Sequence, residues 1–159
     1  MTADIGLGLS VIAAALWSGL LLTLTTILHP MFAARGAAGF TEDMRRFLPI
    51  ARGSPTNYVL VVALVLSPLV ALVGLWDQAG SAPFVLTSAG LAATVTGPLL
   101  MSSLLVEPNH AAILSWDPAA VPEDWGIARS RYFRLNWMRG ALTWLALTLF
   151  VVAAYLHYR

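Results

Sequence analysis

Nine side chains near the ends of apolar segments are the residues of this sequence best suited to chemistry. They are His29, Asn57, Tyr58, Glu107, Asn109, His110, Asn136, Trp137 and Arg139. Glu107 and His110 have the Glu-x-x-His spacing that puts two metal ligands on one face of a helix, and His29 would be a third ligand. Two histidines alone can ligate a haem iron. The residue types therefore allow a metal site at His29, Glu107 and His110, or a haem between the two histidines.

The composition places these residues in a membrane protein. Of the 159 residues, 58% are apolar and only 11% are charged, far from the average of soluble proteins. Four stretches reach the roughly 20 apolar residues that a membrane-spanning helix needs: Ile5–Leu28, Tyr58–Trp76, Phe84–Leu105 and Trp137–Leu156. We expect the first to persist as a helix, because it is longer than the apolar part of a signal peptide. The sequence predicts one all-α domain over residues 1–159, an up-down-up-down bundle of four membrane helices.

That path brings the polar candidates to one membrane depth, because the ends of the first and third spans and the starts of the second and fourth lie on the same side of the membrane. Ionisable groups near hydrocarbon are costly unless they are paired or face a cavity, so their position favours a functional site. We predict that His29, Asn109, His110, Asn136 and Arg139 surround one cavity. The alternative is a layer of boundary residues in contact with water.

Two long connections, of about 29 and 31 residues, lie on the side of these candidates. Phe40, Met44, Phe47 and Leu48 recur at helical spacing in the first, which predicts an amphipathic interfacial helix over Phe40–Leu48 that closes the cavity. In the second, a helical apolar face from Trp125 to Leu135 runs towards the fourth span. We expect amphipathic helices in both connections, the second leading into a spanning helix that begins outside the membrane.

Charge predicts the orientation and the partners. All nine basic residues are arginines; seven lie in the two long connections, Arg139 lies at the boundary of the fourth span, and only Arg159 lies on the opposite side. Basic connections stay in the cytoplasm, so both termini are expected outside, in a bacterial inner (plasma) membrane. A net charge of +1 without a concentrated basic face argues against nucleic acid. Membrane lipid and an apolar small molecule are the expected partners, and a homo-oligomer stays open.

Three short motifs link the chain to a known family. The first is a proline just after the first span, Pro30; the second is a Pro/Asn pair after the third span, Pro108 and Asn109; the third is an Asn-x-x-Arg pattern at the start of the fourth span, Asn136 and Arg139. Over nearly its whole length the chain resembles the anthrone oxygenase-like small membrane proteins, which share a four-helix domain of unknown function. The family usually has one residue between the Pro and the Asn of the second motif, whereas the two are adjacent here.

The resemblance implies a membrane oxygenase that oxidises a flat, apolar aromatic substrate, anthrone- or quinol-like, with O2. Some relatives need no metal or flavin. A base can remove the acidified C–H of an anthrone and so form a carbanion that gives an electron to oxygen. His29 or His110 would be that base. Asn109, Asn136 and Arg139 would stabilise the oxyanion, and Asn57, Tyr58 and Trp137 would bind the flat substrate.

Two other kinds of function stay open. One is a non-catalytic membrane module that assembles with a partner or binds lipid. The other is a redox protein that holds a metal or haem through His29, Glu107 and His110. The absence of cysteine excludes disulfides and thiol chemistry. The absence of charge in the middle of the spans disfavours a transporter.

Overall fold

The computed structural model describes residues 1–159 and consists of five helices without strands. The helices are α1 (Thr2–Ala33), α2 (Ala37–Gly53), α3 (Pro55–Gly74), α4 (Ala82–Leu114) and α5 (Trp125–His157). All except α2 are long and apolar enough to cross a membrane. α1 packs against α3, α3 against α4, α4 against α5, and α5 returns to α1. The predicted all-α membrane bundle is confirmed.

Three of the spanning helices are longer than hydropathy predicted. α1 continues to Ala33 rather than ending at Leu28, and α4 continues to Leu114 rather than Leu105. α5 begins at Trp125. Hydropathy marks where a helix lies in hydrocarbon, whereas the helix itself continues through the polar layer. α3 ends earlier than predicted, at Gly74, and Trp76 lies in a 3₁₀ turn over Trp76–Gln78.

Wide helical turns explain how α1 and α4 continue through prolines. The backbone is π-helical over Leu24–Leu28, just before Pro30, and over Val95–Val106, just before Pro108. A proline has no amide to donate, and its ring clashes with the carbonyl four residues earlier. Bonding to the carbonyl five residues back relieves that conflict. The polar residues that follow each proline therefore stay on a continuous helix.

α2 is the amphipathic helix predicted in the first long connection, extended to Ala37–Gly53. Its buried side chains Phe40, Met44 and Leu48 pack in a cluster with Phe32, Ile113 and Tyr132 from α1, α4 and α5. The helical face predicted in the second connection is confirmed as the first part of α5, which begins at Trp125, before the predicted start of the fourth span. Residues 115–124 contain no helix.

Small residues allow the closest helix contact, between α1 and α3. A Cβ on Gly6 would lie 2.3 Å from the Ala71 amide nitrogen, and one on Gly74 would lie 2.3 Å from the Ala3 nitrogen. Any larger residue at either position would push the two helices apart. At the opposite end of the bundle, residues of the same two helices line a cavity.

A proline in α3 leaves a backbone carbonyl without its helical hydrogen bond, and a side chain of α4 donates to that carbonyl. Pro68 has no amide to donate to Leu64, four residues earlier. The Thr94 hydroxyl donates to the Leu64 carbonyl oxygen at 3.0 Å, and it is shared with the Leu91 carbonyl oxygen of its own helix at 2.9 Å. Leu64 and Thr94 are both fully buried. Because hydrocarbon offers no water to a free carbonyl, this bond between helices stabilises the proline position.

Candidate functional site

A cavity of about 830 Å³ lies at the end of the bundle covered by α2. Helices α1 to α5 all contribute to its wall. Six of the nine residues chosen from the sequence line it: Asn57, Tyr58, Glu107, His110, Asn136 and Arg139. Half of its lining residues are hydrophobic, among them Leu20, Leu24 and Leu28 of α1 and Phe47 and Leu48 of α2. The volume lies in the range of small-molecule binding sites.

Arg139 supplies the positive charge of the cavity. Its Nη1 donates to the Ser102 hydroxyl at 2.9 Å, and its Nη2 donates to the Asn136 side-chain oxygen at 2.9 Å. No carboxylate lies within 4.0 Å of the guanidinium, and its Nε is buried without a hydrogen-bond partner. Neutral oxygens orient the group, and Glu107, which lines the same cavity, makes no direct ion pair with it. A buried cation of this kind favours an anionic or strongly polarised oxygen in the cavity.

Asn136 is fixed on both sides of its amide. It is 1% exposed, and while its oxygen accepts from Arg139, its nitrogen donates to the Tyr132 carbonyl at 3.0 Å, one turn earlier on α5. The asparagine and arginine of the Asn-x-x-Arg motif therefore face the same side of α5 and act as one unit. The hydrogen bonds hold the guanidinium in a single orientation towards Ser102 of α4.

His110 places an imidazole at the wall of the same cavity. The side chain is buried against the ring of Tyr132, with 5.6 Å between ring centroids. Its Nδ1 lies 3.5 Å from a Glu107 carboxylate oxygen, too poorly aligned for a hydrogen bond, and its Nε2 has no partner. The other Glu107 oxygen forms an ion pair with Arg52 of α2 at 2.8 Å. His110 therefore lies at the cavity wall with no hydrogen-bond partner for either ring nitrogen.

Trp17 and Ser102 belong to the cavity although the sequence did not single them out. The side chain of Trp17 lines the cavity, and its indole nitrogen is buried and has no hydrogen-bond partner. Ser102 holds the Arg139 guanidinium. The sequence contains a pattern that marks this face of α4: Leu99, Ser103, Glu107 and His110 recur at helical spacing, and all of them line the cavity beside Ser102. For Trp17, a buried indole inside an apolar helix looks like any packing residue.

Three candidates lie outside the cavity wall. His29 is 4% exposed and packs on Tyr132 and Phe133, with ring centroids 5.4 and 4.5 Å away. Asn109 donates to the Ala128 carbonyl at 3.2 Å and so ties α4 to α5. Trp137 is 45% exposed and packs edge-on against Trp144. The structure therefore brings His110, Asn136 and Arg139 together and separates His29 and Asn109 from them.

The geometry does not suit the metal and haem alternatives. No three His, Asp or Glu side chains come close enough together to hold a metal ion. His29 and His110 each pack against Tyr132, and only His110 reaches the cavity. A haem between the two histidines would have to replace that tyrosine ring, which is 2% exposed in the core.

No family model, curated protein or solved structure matches this chain. Its class is therefore defined by the fold and the site. The protein is an integral membrane protein, a bundle of four spanning helices. One end of the bundle contains a mainly apolar cavity with a buried, unpaired guanidinium and an imidazole without a hydrogen-bond partner.

Proposed function

We propose that this protein is a membrane-embedded oxygenase that oxidises a flat, apolar aromatic substrate of the anthrone or quinol type with O2. The observation that carries the proposal is the Arg139 guanidinium, which lies in an apolar cavity without a carboxylate partner. Enolate and peroxide oxygens are the anions that this oxidation produces. A fixed cation shielded from water stabilises such oxygens far better than water would.

In an anthrone, the reactive carbon is a CH2 group opposite the carbonyl. His110 takes one proton from that carbon, and the enolate oxygen binds to Arg139 and Asn136. The enolate gives one electron to O2, and the resulting superoxide and carbon radical combine to form a C–O bond. Loss of the second proton and cleavage of the O–O bond then release water and leave a carbonyl. One oxygen atom of O2 enters the quinone and the other leaves in water, so that no further reductant is needed.

The surroundings of Arg139 favour a substrate from the bilayer. Half of the cavity's lining residues are hydrophobic, among them five leucines and the aromatic residues Trp17 and Phe47, and Tyr58, also in the wall, is 64% exposed. A tricyclic phenolic ketone is apolar enough to concentrate in hydrocarbon, and its rings can pack on aromatic side chains. Trp17 would donate to a second oxygen of such a ring system. These features suit a flat molecule with oxygen at its edges better than a flexible polar one.

We also propose the orientation in the membrane. The cavity lies at the cytoplasmic end, both termini lie outside, and the membrane is the bacterial inner membrane. The arginine asymmetry supports the orientation, since eight arginines lie in or beside the two long connections and one lies at the opposite end. The substrate would then be oxidised where cytoplasmic biosynthesis releases apolar products.

The test is oxidation of an anthrone by the purified protein in detergent under air. Quinone formation and oxygen consumption are measured against the rate without protein. We expect His110→Ala to lower the turnover by about 10²–10⁴-fold, the usual contribution of a general base. His157→Ala is the matched control, because His157 lies at the other end of the bundle beside Asp4.

Equal rates with and without the protein would contradict the proposed oxygenase, and so would full turnover in His110→Ala. Saturable binding of the anthrone without oxidation would instead support a non-catalytic binding module. An absorbance spectrum and metal analysis of the same preparation would reveal a haem or metal.

A further inference from the structure

A second surface, on the outside of the bundle, has the features of a lipid site. A shallow groove runs between α4 and α5 and shares no residue with the cavity. We call it the arginine groove; it is lined by Leu105 of α4 and by Gly126, Ile127, Ser130, Arg131, Arg134, Leu135 and Met138 of α5. No acidic side chain lines it. The groove therefore presents two positive charges without a compensating negative one.

The two arginines of the groove have no partner within the protein. Arg131 and Arg134 are exposed and make neither a hydrogen bond to a side chain or carbonyl nor an ion pair. Two other arginines at the same end do have partners. Arg35 binds Asp43 at 3.1 Å, and Arg129 lies 4.4 Å from the Trp125 ring. Arg131 and Arg134 are three residues apart on a helix and so point to one side, where they can bind one anion together.

The position of the groove identifies the kind of anion. Arg134 lies three residues before Trp137, where hydropathy places the start of the fourth span, so it is about 4.5 Å from the apolar segment along the helix axis. Towards the membrane the groove continues over Leu105 and Met138, which are 37% and 48% exposed. A phosphate beside the arginines would therefore have apolar side chains directly below it, where an acyl chain runs.

We propose that the arginine groove binds an anionic phospholipid, with its phosphate between Arg131 and Arg134 and an acyl chain along Leu105 and Met138. Basic pockets between spanning helices on the cytoplasmic side recognise such headgroups. A zwitterionic lipid has a cationic group that two arginines repel. The site is independent of the cavity, so it stands whether or not the protein is an oxygenase.

The experiment measures lipid binding to the full chain in a non-ionic detergent by native mass spectrometry. The probes are dioleoyl phosphatidylglycerol and dioleoyl phosphatidylcholine, which share their acyl chains and differ in charge. We expect phosphatidylglycerol to bind more tightly. The double variant R131Q/R134Q should weaken its binding by up to about 30-fold, since each arginine near an anionic headgroup contributes about fivefold.

The matched control is R45Q/R46Q. Arg45 and Arg46 are exposed on α2 at the same end of the bundle and likewise have no partner, so the control removes the same charge outside the groove. Its affinity for phosphatidylglycerol should stay near that of the unchanged protein.

Three results would overturn the proposal. Equal weakening in the two double variants would show a general surface-charge effect, and equal binding of the two lipids would show that charge is not recognised. Complete displacement of the lipid by inorganic phosphate at the same concentration would show a simple anion site without a role for the acyl chain. If R131Q/R134Q instead converts a dimer into a monomer by light scattering, the groove is an interface between copies of the chain.

Discussion

Arg139 shows how one residue can combine a structural cost with a chemical use. Its guanidinium lies in an apolar cavity and is held by Ser102 and Asn136 through neutral hydrogen bonds. Replacing a buried ion by an apolar residue often leaves stability unchanged or raises it, so folding alone gives little reason to keep this one. A ligand oxygen that binds to Arg139 in the cavity would give such a reason. The value of the residue therefore depends on its planar fork as well as on its charge.

Arg139→Lys tests that dependence. Lysine keeps the charge but cannot bind Ser102 and Asn136 through two separate nitrogens of one rigid plane. We expect anthrone oxidation to fall by about 10²-fold, the effect of losing one oriented oxyanion donor, while the helical content stays unchanged. Arg46→Lys, on the exposed face of α2, is the control. Full turnover in Arg139→Lys would remove the oxyanion role from this residue.

His29 differs from His110 although both are buried against Tyr132. Neither histidine has a hydrogen-bond partner for a ring nitrogen, but His29 packs on Phe133 in an aromatic cluster, whereas His110 lines the cavity. A buried polar group without a hydrogen bond costs stability, whereas an apolar group of similar shape does not. The base that sequence reasoning placed at either histidine is therefore better assigned to His110.

His29→Phe should separate the two histidines. We expect the thermal unfolding midpoint of the variant in detergent to rise by roughly 2–4 °C, corresponding to about 1 kcal/mol gained by removing an unsatisfied polar group. The turnover should stay near that of the unchanged protein. A variant that folds normally but loses activity would show that an atom of His29 takes part in the reaction.

At the scale of helices, the sequence predicted what lies in the membrane better than where each helix ends. Hydropathy identified four spans, but it placed the ends of two at Leu28 and Leu105, close before the polar residues His29 and Glu107, because it carries no signal for a helix that continues. π-helical turns before Pro30 and Pro108 allow the continuation. Rules for proline in ordinary α-helices would end the helix at both places.

The sequence predicted the membrane depth of the candidate residues but not which of them point into the cavity. An up-and-down path places His29, Asn109, His110, Asn136 and Arg139 at one depth. Which of them reaches the cavity depends on helix rotation, and adjacent residues such as Asn109 and His110 lie about 100° apart around the axis. Asn109 consequently faces the Ala128 carbonyl of α5, while His110 faces the cavity. Rotation is set by packing between helices, for which a single sequence gives little evidence.

Substitutions at Thr94 and Thr96 measure how much the hydrogen bond to the Leu64 carbonyl, left without an amide donor by Pro68, stabilises the protein. We expect Thr94→Val to reduce the free energy of unfolding by about 0.6–1.7 kcal/mol, the range of hydrogen bonds between membrane helices, because the Leu64 carbonyl would lose its partner. Thr96→Val is the control, since Thr96 is exposed and makes no side-chain hydrogen bond. Denaturation of both variants in mixed micelles provides the comparison. Equal stability of the two would show that the Leu64 carbonyl does not need the threonine.

Across the whole molecule, the two ends of the bundle differ in charge. One end carries α2, residues 115–124, the cavity and eight of the nine arginines. The other end holds the turn after α3 and both chain ends, where a carboxylate oxygen of Asp4 lies 2.9 Å from the Nε2 of His157. A chain inserted with the arginine-rich end in the cytoplasm obeys the charge rule for short connections. The reverse orientation would require eight arginines outside.

The orientation can be read from single cysteines, because the chain has none of its own. Gln78→Cys lies in the turn between α3 and α4, and Glu42→Cys lies on α2; both positions are exposed. We expect a membrane-impermeant maleimide to label Gln78→Cys in intact cells and to label Glu42→Cys only after the membrane is opened, because the arginine-rich end stays inside. The unchanged chain, which should take up no label, is the control. Labelling of Glu42→Cys in intact cells, with Gln78→Cys protected, would reverse the orientation and place the cavity on the outer side of the membrane.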